Sequence, residues 1–226
     1  MDFEFLIEAF VFVLPGVPKT LLLFFGVSLA VMPVAVLIAT MRLSKSPALV
    51  AVSTSYILLF RSIPLLVLIF LVYYGLPQID WIRHGPLWVL FREPYYCVLL
   101  AAVLNGASYA SEVVRGGIQA VPKGQIEAAK SFGMSRWKLN TRVVAPLALK
   151  QALPSYGSEL ILVLKGTSLA STVTIAEITF RSVDLTELTY RPVPIFIAAG
   201  AIYLMMNVII VEVVSYFERR LAIWDR

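Results

Sequence analysis

Residues 122–146 read PKGQIEAAKSFGMSRWKLNTRVVAP, a basic segment of loop-like length between two strongly apolar regions. Pro122 suits the first turn of a helix, and Glu127 follows where the positive end of the helix dipole favours a carboxylate. Gly133 can take the left-handed conformation that ends a helix, and Ser135 can cap a second short helix. The pattern predicts two short helices, either as an element that docks into a groove on a partner or as a solvated connecting loop.

The spacing within this segment resembles the EAA loop of ABC importer permeases, which reads EAA, three residues, G, nine residues, I, one residue, LP. The matching positions here are Glu127, Ala128, Ala129, Gly133, Val143, Ala145 and Pro146. Two apolar positions depart from the family pattern, because Val143 replaces isoleucine and Ala145 replaces leucine with a smaller side chain. The resemblance implies that the Glu-Ala-Ala triplet and Gly133 couple the chain to an ATPase.

Four further stretches extend the resemblance over most of the chain. They are FRSIPLL at 60–66, YASEVVRGGI at 109–118, VPKGQ at 121–125 and LKGTSL at 164–169. Together they look like the polar amino acid uptake branch, and residues 155–171 look most like its histidine, arginine, ornithine and opine permeases. The resemblance implies a type I importer made of two permease chains, two cytoplasmic ATPases and an extracytoplasmic binding protein that delivers the substrate.

Composition bounds the class of protein independently of that resemblance. Of the 226 residues, 59% are hydrophobic and 15% are charged, against about 25% charged in an ordinary soluble domain, which predicts an integral membrane protein. One cysteine and one histidine are too few for an intrachain disulfide or an unaided metal cluster. The chain has no G-x-x-x-x-G-K-S/T phosphate loop, so it is expected to bind no cofactor, with ATP and magnesium on a separate ATPase. The acidic N-terminal residues do not resemble a cleaved signal peptide and are expected to form a peripheral amphipathic segment.

Apolar stretches long enough to cross a hydrocarbon core of about 30 Å predict an all-α membrane protein with five membrane helices. The resemblance implies that this membrane is the bacterial inner membrane. The predicted spans are residues 20–41, 50–75, 94–117, 147–170 and 192–214, with the coupling loop at 121–146. One set of connections then holds 12 Lys and Arg residues and the opposite set holds five. The positive-inside rule predicts an external N-terminus, with the C-terminus and the coupling loop in the cytoplasm. This anchoring explains the net charge of +5 and indicates no nucleic-acid partner.

Polar residues at membrane depth cost about 2.5 to 3.5 kcal/mol each on insertion scales, and they usually face a bundle interior or a pathway. The third span carries a polar stripe at helical spacing, formed by Asn105, Ser108, Tyr109, Glu112, Arg115 and Gly116. Glu112 has two interpretations: an ion pair with Arg115 or Arg61 that fixes helix packing, or part of an inner gate. Within other spans, Arg61 and Lys165 either hold the α-carboxylate of a substrate or balance a buried acid.

Glu159 is predicted to lie near the midplane of the fourth span. Lys165 is six residues further on, about 120° round the helix, so Glu159 needs a partner from elsewhere. Ser155, Tyr156 and Ser158 make its surroundings polar, as expected of a cavity lining. Glu159 is therefore a candidate for substrate contact, with a structural ion pair as the alternative.

These observations and the resemblance predict half of a permease pair that takes up polar amino acids at the expense of ATP. Cationic amino acids (arginine, histidine, ornithine, lysine) or opines are the favoured substrates. The candidate residues of the substrate pathway are Glu159, Lys165, Arg61, Glu112, Asn105 and Ser158. The alternatives are an importer of acidic or neutral polar amino acids, an ion-coupled secondary transporter and a membrane scaffold that transports nothing.

Overall fold

The computed structural model describes residues 3–222, and the regular structure in that range is helical throughout. The helices are α1 (Phe3–Val13), α2 (Val17–Arg42), α3 (Pro47–Ser62), α4 (Leu65–Phe70), α5 (Asp80–Arg83), α6 (Trp88–Phe91), α7 (Pro94–Gln119), α8 (Lys123–Ser131), α9 (Arg136–Leu139), α10 (Ala145–Gly166), α11 (Ile178–Thr189) and α12 (Pro192–Ala222). Short 3₁₀ or π segments join several of them. Residues 1–2 and 223–226, which include the ends of the predicted acidic N-terminus and polar tail, lie outside the described range.

Length and apolar composition identify up to five candidate membrane spans among the described residues. Three are single helical runs, at Phe3–Arg42, Pro94–Gln119 and Pro192–Leu221. Two more are bent pairs, Pro47–Ser62 with Leu65–Gln78 and Arg136–Val173 with Ile178–Thr189. The prediction of an all-α chain with several membrane helices is confirmed for this range. The helices extend further than the predicted stretches, and the fourth begins inside the segment predicted as the coupling loop.

The N-terminal segment is a packed helix, which corrects the expectation of a peripheral one. It runs on into α2 through a single 3₁₀ turn at Leu14–Gly16. Ala9 and Val13 are fully buried in a core cluster with Ile178 and Ile195, which belong to α11 and α12. The apolar edge of α1 therefore stabilises the bundle by removing its side chains from solvent or lipid.

The second predicted span is not one helix, because α3 and α4 meet at an angle of 100°. Proline cannot donate a backbone hydrogen bond and disfavours helical geometry in the residue before it. Ile63 accordingly adopts an extended conformation between Ser62, the last residue of α3, and Pro64. The stretch predicted as the second span, residues 50–75, is therefore a bent pair of helices, and it counts as one candidate span when the pair is taken together.

The central helix of the bundle is α7, against which α2, α3, α4 and α10 pack. Its approach to α10 depends on Gly117, where an added Cβ atom would lie 2.6 Å from the backbone oxygen of Ala148 and 2.9 Å from the Cβ of Ala152. Gly116, the preceding residue, has open space in the direction of its missing Cβ. The two neighbouring glycines therefore differ in what they contribute to helix packing.

We expect Gly117→Ala to destabilise the bundle by about 1 to 3 kcal/mol, because overpacking forces α7 and α10 apart. Gly116→Ala is the matched control, since it adds the same methyl group on the same helix without a clash. The thermal unfolding midpoint of the purified protein is the measurement. Equal midpoints for the two variants would show that the close approach at Gly117 is not required.

Candidate functional site

Asn105 closes a gap in the backbone hydrogen bonding of α3. In a continuous helix the carbonyl oxygen of Phe60 would accept from the N–H of residue 64, but Pro64 has none. The side-chain amide of Asn105 donates to this oxygen at 2.7 Å. Nearby, the hydroxyl of Tyr56 donates to the carbonyl oxygen of Leu104 at 2.8 Å. These two bonds join the end of α3 to the middle of α7.

Arg61 is held against the same part of α7. Its Nε donates to the carbonyl oxygen of Ser108 at 3.2 Å, and its Nη2 donates to that of Tyr109 at 3.4 Å. The guanidinium carbon lies 4.6 Å from the centre of the Tyr109 ring, a cation–π geometry. Arg61 therefore binds backbone and aromatic groups of α7 while its charge stays at the edge of a cavity.

Glu159 lies beside Arg61 between two cavities of about 300 Å³ and about 470 Å³. Both cavities are lined by Arg61, Tyr109 and Glu159. The first is otherwise mainly apolar and includes Asn105, whereas the second adds Glu112 and other polar residues. No ion pair within 4.0 Å joins Glu159 to a base among residues 3–222. One acid and one base thus line a common space without neutralising each other directly.

Two predicted pathway residues lie elsewhere. Lys165 lines a separate cavity with Tyr203 and Asn207, on the side of α10 that faces α12. Ser158 lines a small cavity beside Glu218 of α12. Both positions follow from helical rotation, because the residue one position before Glu159 and the residue six positions after it point away from it on α10. The structure therefore brings Arg61 and Asn105 to Glu159 but not Lys165 or Ser158.

Glu112 forms the ion pair that its spacing to Arg115 predicted. The Nη2 of Arg115 lies 2.6 Å from a carboxylate oxygen of Glu112, and the Nε donates to both oxygens at 3.0 and 3.1 Å. Arg42, at the end of α2, contributes a second contact at 3.8 Å, which the sequence did not indicate. Glu112 joins the ends of α2 and α7 beside the second cavity, so the structural interpretation accounts for its charge and the alternative partner, Arg61, is not used.

The segment after α7 folds locally as predicted. Gly133 has a φ of +72°, and the N–H groups of Gly133 and Met134 donate to the carbonyls of Lys130 and Ala129 at 2.9 and 3.2 Å. This is the Schellman arrangement that ends a helix at glycine. The hydroxyl of Ser135 then accepts from the N–H of Lys138 at 3.5 Å, as the cap of α9.

The surface of this segment is more apolar than its position outside the candidate spans would suggest. Phe132 is 85% exposed and Trp137 is 78% exposed, on either side of Gly133. Ala129 is buried against the chain itself, whereas Glu127 and Ala128 are exposed. Exposed aromatic side chains of this kind mark interaction surfaces. We call residues 123–139 the projecting segment.

One buried acid was missed by sequence reasoning. Glu177 is fully buried, where it caps α11 by accepting from the N–H of Phe180 at 2.7 Å and also accepts from the hydroxyl of Tyr203 at 2.8 Å. An acid immediately before an apolar helical run is a helix-start signal. Its hydrogen bonds are satisfied, which assigns Glu177 to the packing of α11 on α12.

Several apolar helices around cavities lined by Arg61 and Glu159, together with a projecting segment, fit the permease subunit of a membrane transporter. Residues 31–223 match the family described as "Binding-protein-dependent transport system inner membrane component". The chain belongs to this family, and it is a multi-pass membrane protein that works with the other components of an ABC transporter. It is a transport subunit, since ATP is hydrolysed by a separate ATPase. Membership in this family excludes the two alternatives of a secondary transporter and a membrane scaffold that transports nothing.

Individual relatives and solved structures agree with this assignment. The nopaline transport system permease protein NocM of Agrobacterium fabrum is 46% identical over 219 residues, which cover 96% of this chain and 91% of that protein. The arginine ABC transporter permease protein ArtM of Haemophilus influenzae is 37% identical over 215 residues, 95% of this chain and 94% of that protein. The crystal structure of an amino acid ABC transporter with histidines matches with a TM-score of 0.83 and 32% identity, over 97% of this chain and 99% of the other. The resemblance to importer permeases for polar amino acids is confirmed.

We expect Asn105→Leu to destabilise the protein by about 1 kcal/mol, the lower end of the cost of a carbonyl left without a donor, because this carbonyl is partly buried. Tyr56→Phe removes a bond of similar length from the same helix pair, but the carbonyl of Leu104 keeps its own helical donor, so its loss is expected to be smaller. Thermal unfolding midpoints of the two purified variants make the comparison. A larger loss for Tyr56→Phe would contradict the role of Asn105.

Proposed function

We propose that the chain lines the translocation pathway of an ABC importer for cationic amino acids, such as arginine, histidine, ornithine and lysine, or for opines. The observation that carries the proposal is the position of Glu159, which shares both cavities with Arg61 and has no ion-pair partner within 4.0 Å among the described residues. The relatives named for nopaline, octopine and arginine transport support the same class of substrate.

The chemistry of the two cavities fits a ligand with charges of both signs. An α-carboxylate needs a cation, which Arg61 supplies at the cavity edge, and a cationic side chain needs an acid, which Glu159 supplies. Leaving either charge unmatched in a site of low dielectric constant costs several kcal/mol. Lys165 lies in another cavity and is not part of this proposal. An acidic substrate would place a second carboxylate near Glu159. The alternative function, import of acidic or neutral polar amino acids, therefore matches the charges of these cavities less well.

The complete importer in this proposal contains a second permease chain and two cytoplasmic ATPases that bind ATP and magnesium. An extracytoplasmic binding protein delivers the amino acid. The chain crosses the inner membrane five times, with its N-terminus outside and its C-terminus in the cytoplasm. The excess of basic residues in and around the projecting segment supports this orientation.

The projecting segment is the proposed docking surface for the ATPase. Its exposed aromatic residues, Phe132 and Trp137, flank the glycine that ends α8, and the exposed Ala128 leaves room for close approach. Large aromatic side chains of this kind dominate the energy of protein interfaces when a partner buries them. Of the predicted coupling residues, Glu127 and Ala128 are the ones available to a partner, while Ala129 and Gly133 maintain the local fold.

We expect Glu159→Gln to lower the uptake of arginine by a factor of about ten or more, since a hydrogen bond to a charged group is worth about 1.5 to 3 kcal/mol. The substitution keeps the shape of the side chain and removes its charge. The measurement is ATP-driven uptake of labelled arginine into proteoliposomes that contain the complete importer and its binding protein.

Ser158→Ala is the matched control, because it changes the neighbouring residue on α10 without altering the two cavities that contain Glu159. Uptake by this variant is expected to remain near that of the unmodified protein. Unchanged arginine uptake by Glu159→Gln would refute the assignment. A preference of the unmodified importer for glutamate over arginine would instead support the alternative function, import of acidic or neutral polar amino acids.

We expect Phe132→Ala combined with Trp137→Ala to reduce ATPase binding about thirtyfold or more, as for two interface residues that together contribute about 2 kcal/mol. Trp81→Ala is the control, because Trp81 is 70% exposed on the short helix α5, outside the projecting segment. Native mass spectrometry of the purified assembly measures subunit content, expected to be two permeases and two ATPases before substitution. Full retention of the ATPases in the double variant would locate docking elsewhere.

A further inference from the structure

A second kind of cavity lies on the outside of the bundle, between α2, α7 and α10. Its volume is about 330 Å³, and its lining is apolar, with Val36, Ile118 and Leu149 among its residues. Its one polar side chain, Tyr156, directs its hydroxyl to the backbone oxygen of Ser28 at 3.4 Å. The cavity therefore contains no unsatisfied side-chain polar group that would retain water.

This apolar cavity is open towards the surroundings of the bundle. Val36 is 43% exposed and Leu149 is 54% exposed, although both line it. Because these helices belong to candidate membrane spans, we expect the exposed side of the cavity to face lipid. An open apolar cavity in contact with lipid is filled by hydrocarbon, since an empty one would forgo dispersion contacts with its walls.

Ala145 accounts for part of the open space. It lines the cavity at the start of α10, and it occupies the position where the EAA pattern has leucine. A leucine here would add three carbon atoms at the end of the cavity nearest the projecting segment. The departure from the family pattern thus coincides with the open space of this cavity.

A cation stands next to that end of the cavity. Arg142 precedes Ala145 by three residues in a continuous helical run, which places it about one turn beyond the last lining residue. Its side chain is exposed and makes no hydrogen bond or ion pair with any other residue in the described range. An apolar groove that ends at an unpaired arginine complements a phospholipid with a negatively charged headgroup.

We propose that this cavity binds one acyl chain of an anionic phospholipid, with the lipid phosphate at Arg142. The site is separate from the cavities that contain Glu159, and it does not depend on which amino acid the importer carries. The bound acyl chain occupies the space between α2, α7 and α10 that the small side chain of Ala145 leaves open.

The test uses the complete importer in phosphatidylcholine nanodiscs that contain phosphatidylglycerol with a diazirine on one acyl chain. After illumination, mass spectrometry of proteolytic fragments is expected to find the label in residues 113–118 and 145–156. Ala145→Leu is expected to lower labelling of these fragments about tenfold. Labelling of residues 204–209 of α12, where Leu204, Met205, Val208 and Ile209 are exposed, is expected to stay unchanged. Ala51→Leu, an equal addition at an exposed position of α3, is the control and is expected to change neither.

A second comparison examines the headgroup. Arg142→Gln is expected to reduce labelling by the phosphatidylglycerol probe to the level given by a phosphatidylcholine probe of the same chain length. Arg136 is exposed on α9, and Arg136→Gln is expected to leave labelling by the phosphatidylglycerol probe unchanged. Equal labelling of the two fragments in the Ala145→Leu and unmodified proteins would overturn the proposal. It would also be overturned by equal labelling from both probes in the unmodified importer, or by protection of these fragments by a partner subunit.

Discussion

The missing N–H group of Pro64 is the constraint on which the arrangement of the candidate pathway depends. It leaves the carbonyl of Phe60 without a helical partner and bends the chain by 100° between α3 and α4. A carbonyl that is partly withdrawn from solvent costs about 1 kcal/mol when it stays unpaired, and a donor for it must come from outside α3. Asn105 provides it at 2.7 Å, and this bond, together with that of Tyr56 to Leu104, fixes the height at which α3 meets α7.

The position of Arg61 follows from that bond, because it is the next residue after Phe60. Once the end of α3 is joined to α7, the guanidinium group contacts the carbonyls and the ring of α7 at Ser108 and Tyr109. These are neutral acceptors, so they satisfy its hydrogen bonds without cancelling its charge. Glu159 lines the same space from α10. A site that holds opposite charges apart is preorganised for a ligand that carries both, since the ligand then meets fixed charges without displacing an internal ion pair.

Sequence alone predicted the features that depend on neighbouring residues. The helix stop at Gly133 and the cap at Ser135 are local, since each uses backbone groups within five residues, and both are present in the structure. The membership in the importer family and the all-helical fold followed from spacing and composition. The bond of Asn105 joins residues 45 positions apart, and no periodicity within one helix indicates it. Lys165 and Ser158 were grouped with the pathway by their polarity, whereas the neighbours of α10 decide which cavity each one lines.

The projecting segment and the candidate pathway belong to one element. From Arg136 to Val173 the chain forms a single helical run, so α9, the π turn at Asn140–Val144 and α10 move as connected parts. At 1.5 Å per residue, Glu159 lies about 35 Å along this run from Arg136. The projecting segment is therefore joined to Glu159 by a helical run and not by a flexible loop, although Pro146 and Pro154 each remove one backbone donor from that run. Glu159 and Arg61 are carried by different helices, α10 and α3, and α10 is held closely against α7 at Gly117, so the separation of the two charges depends on how α10 packs on α7.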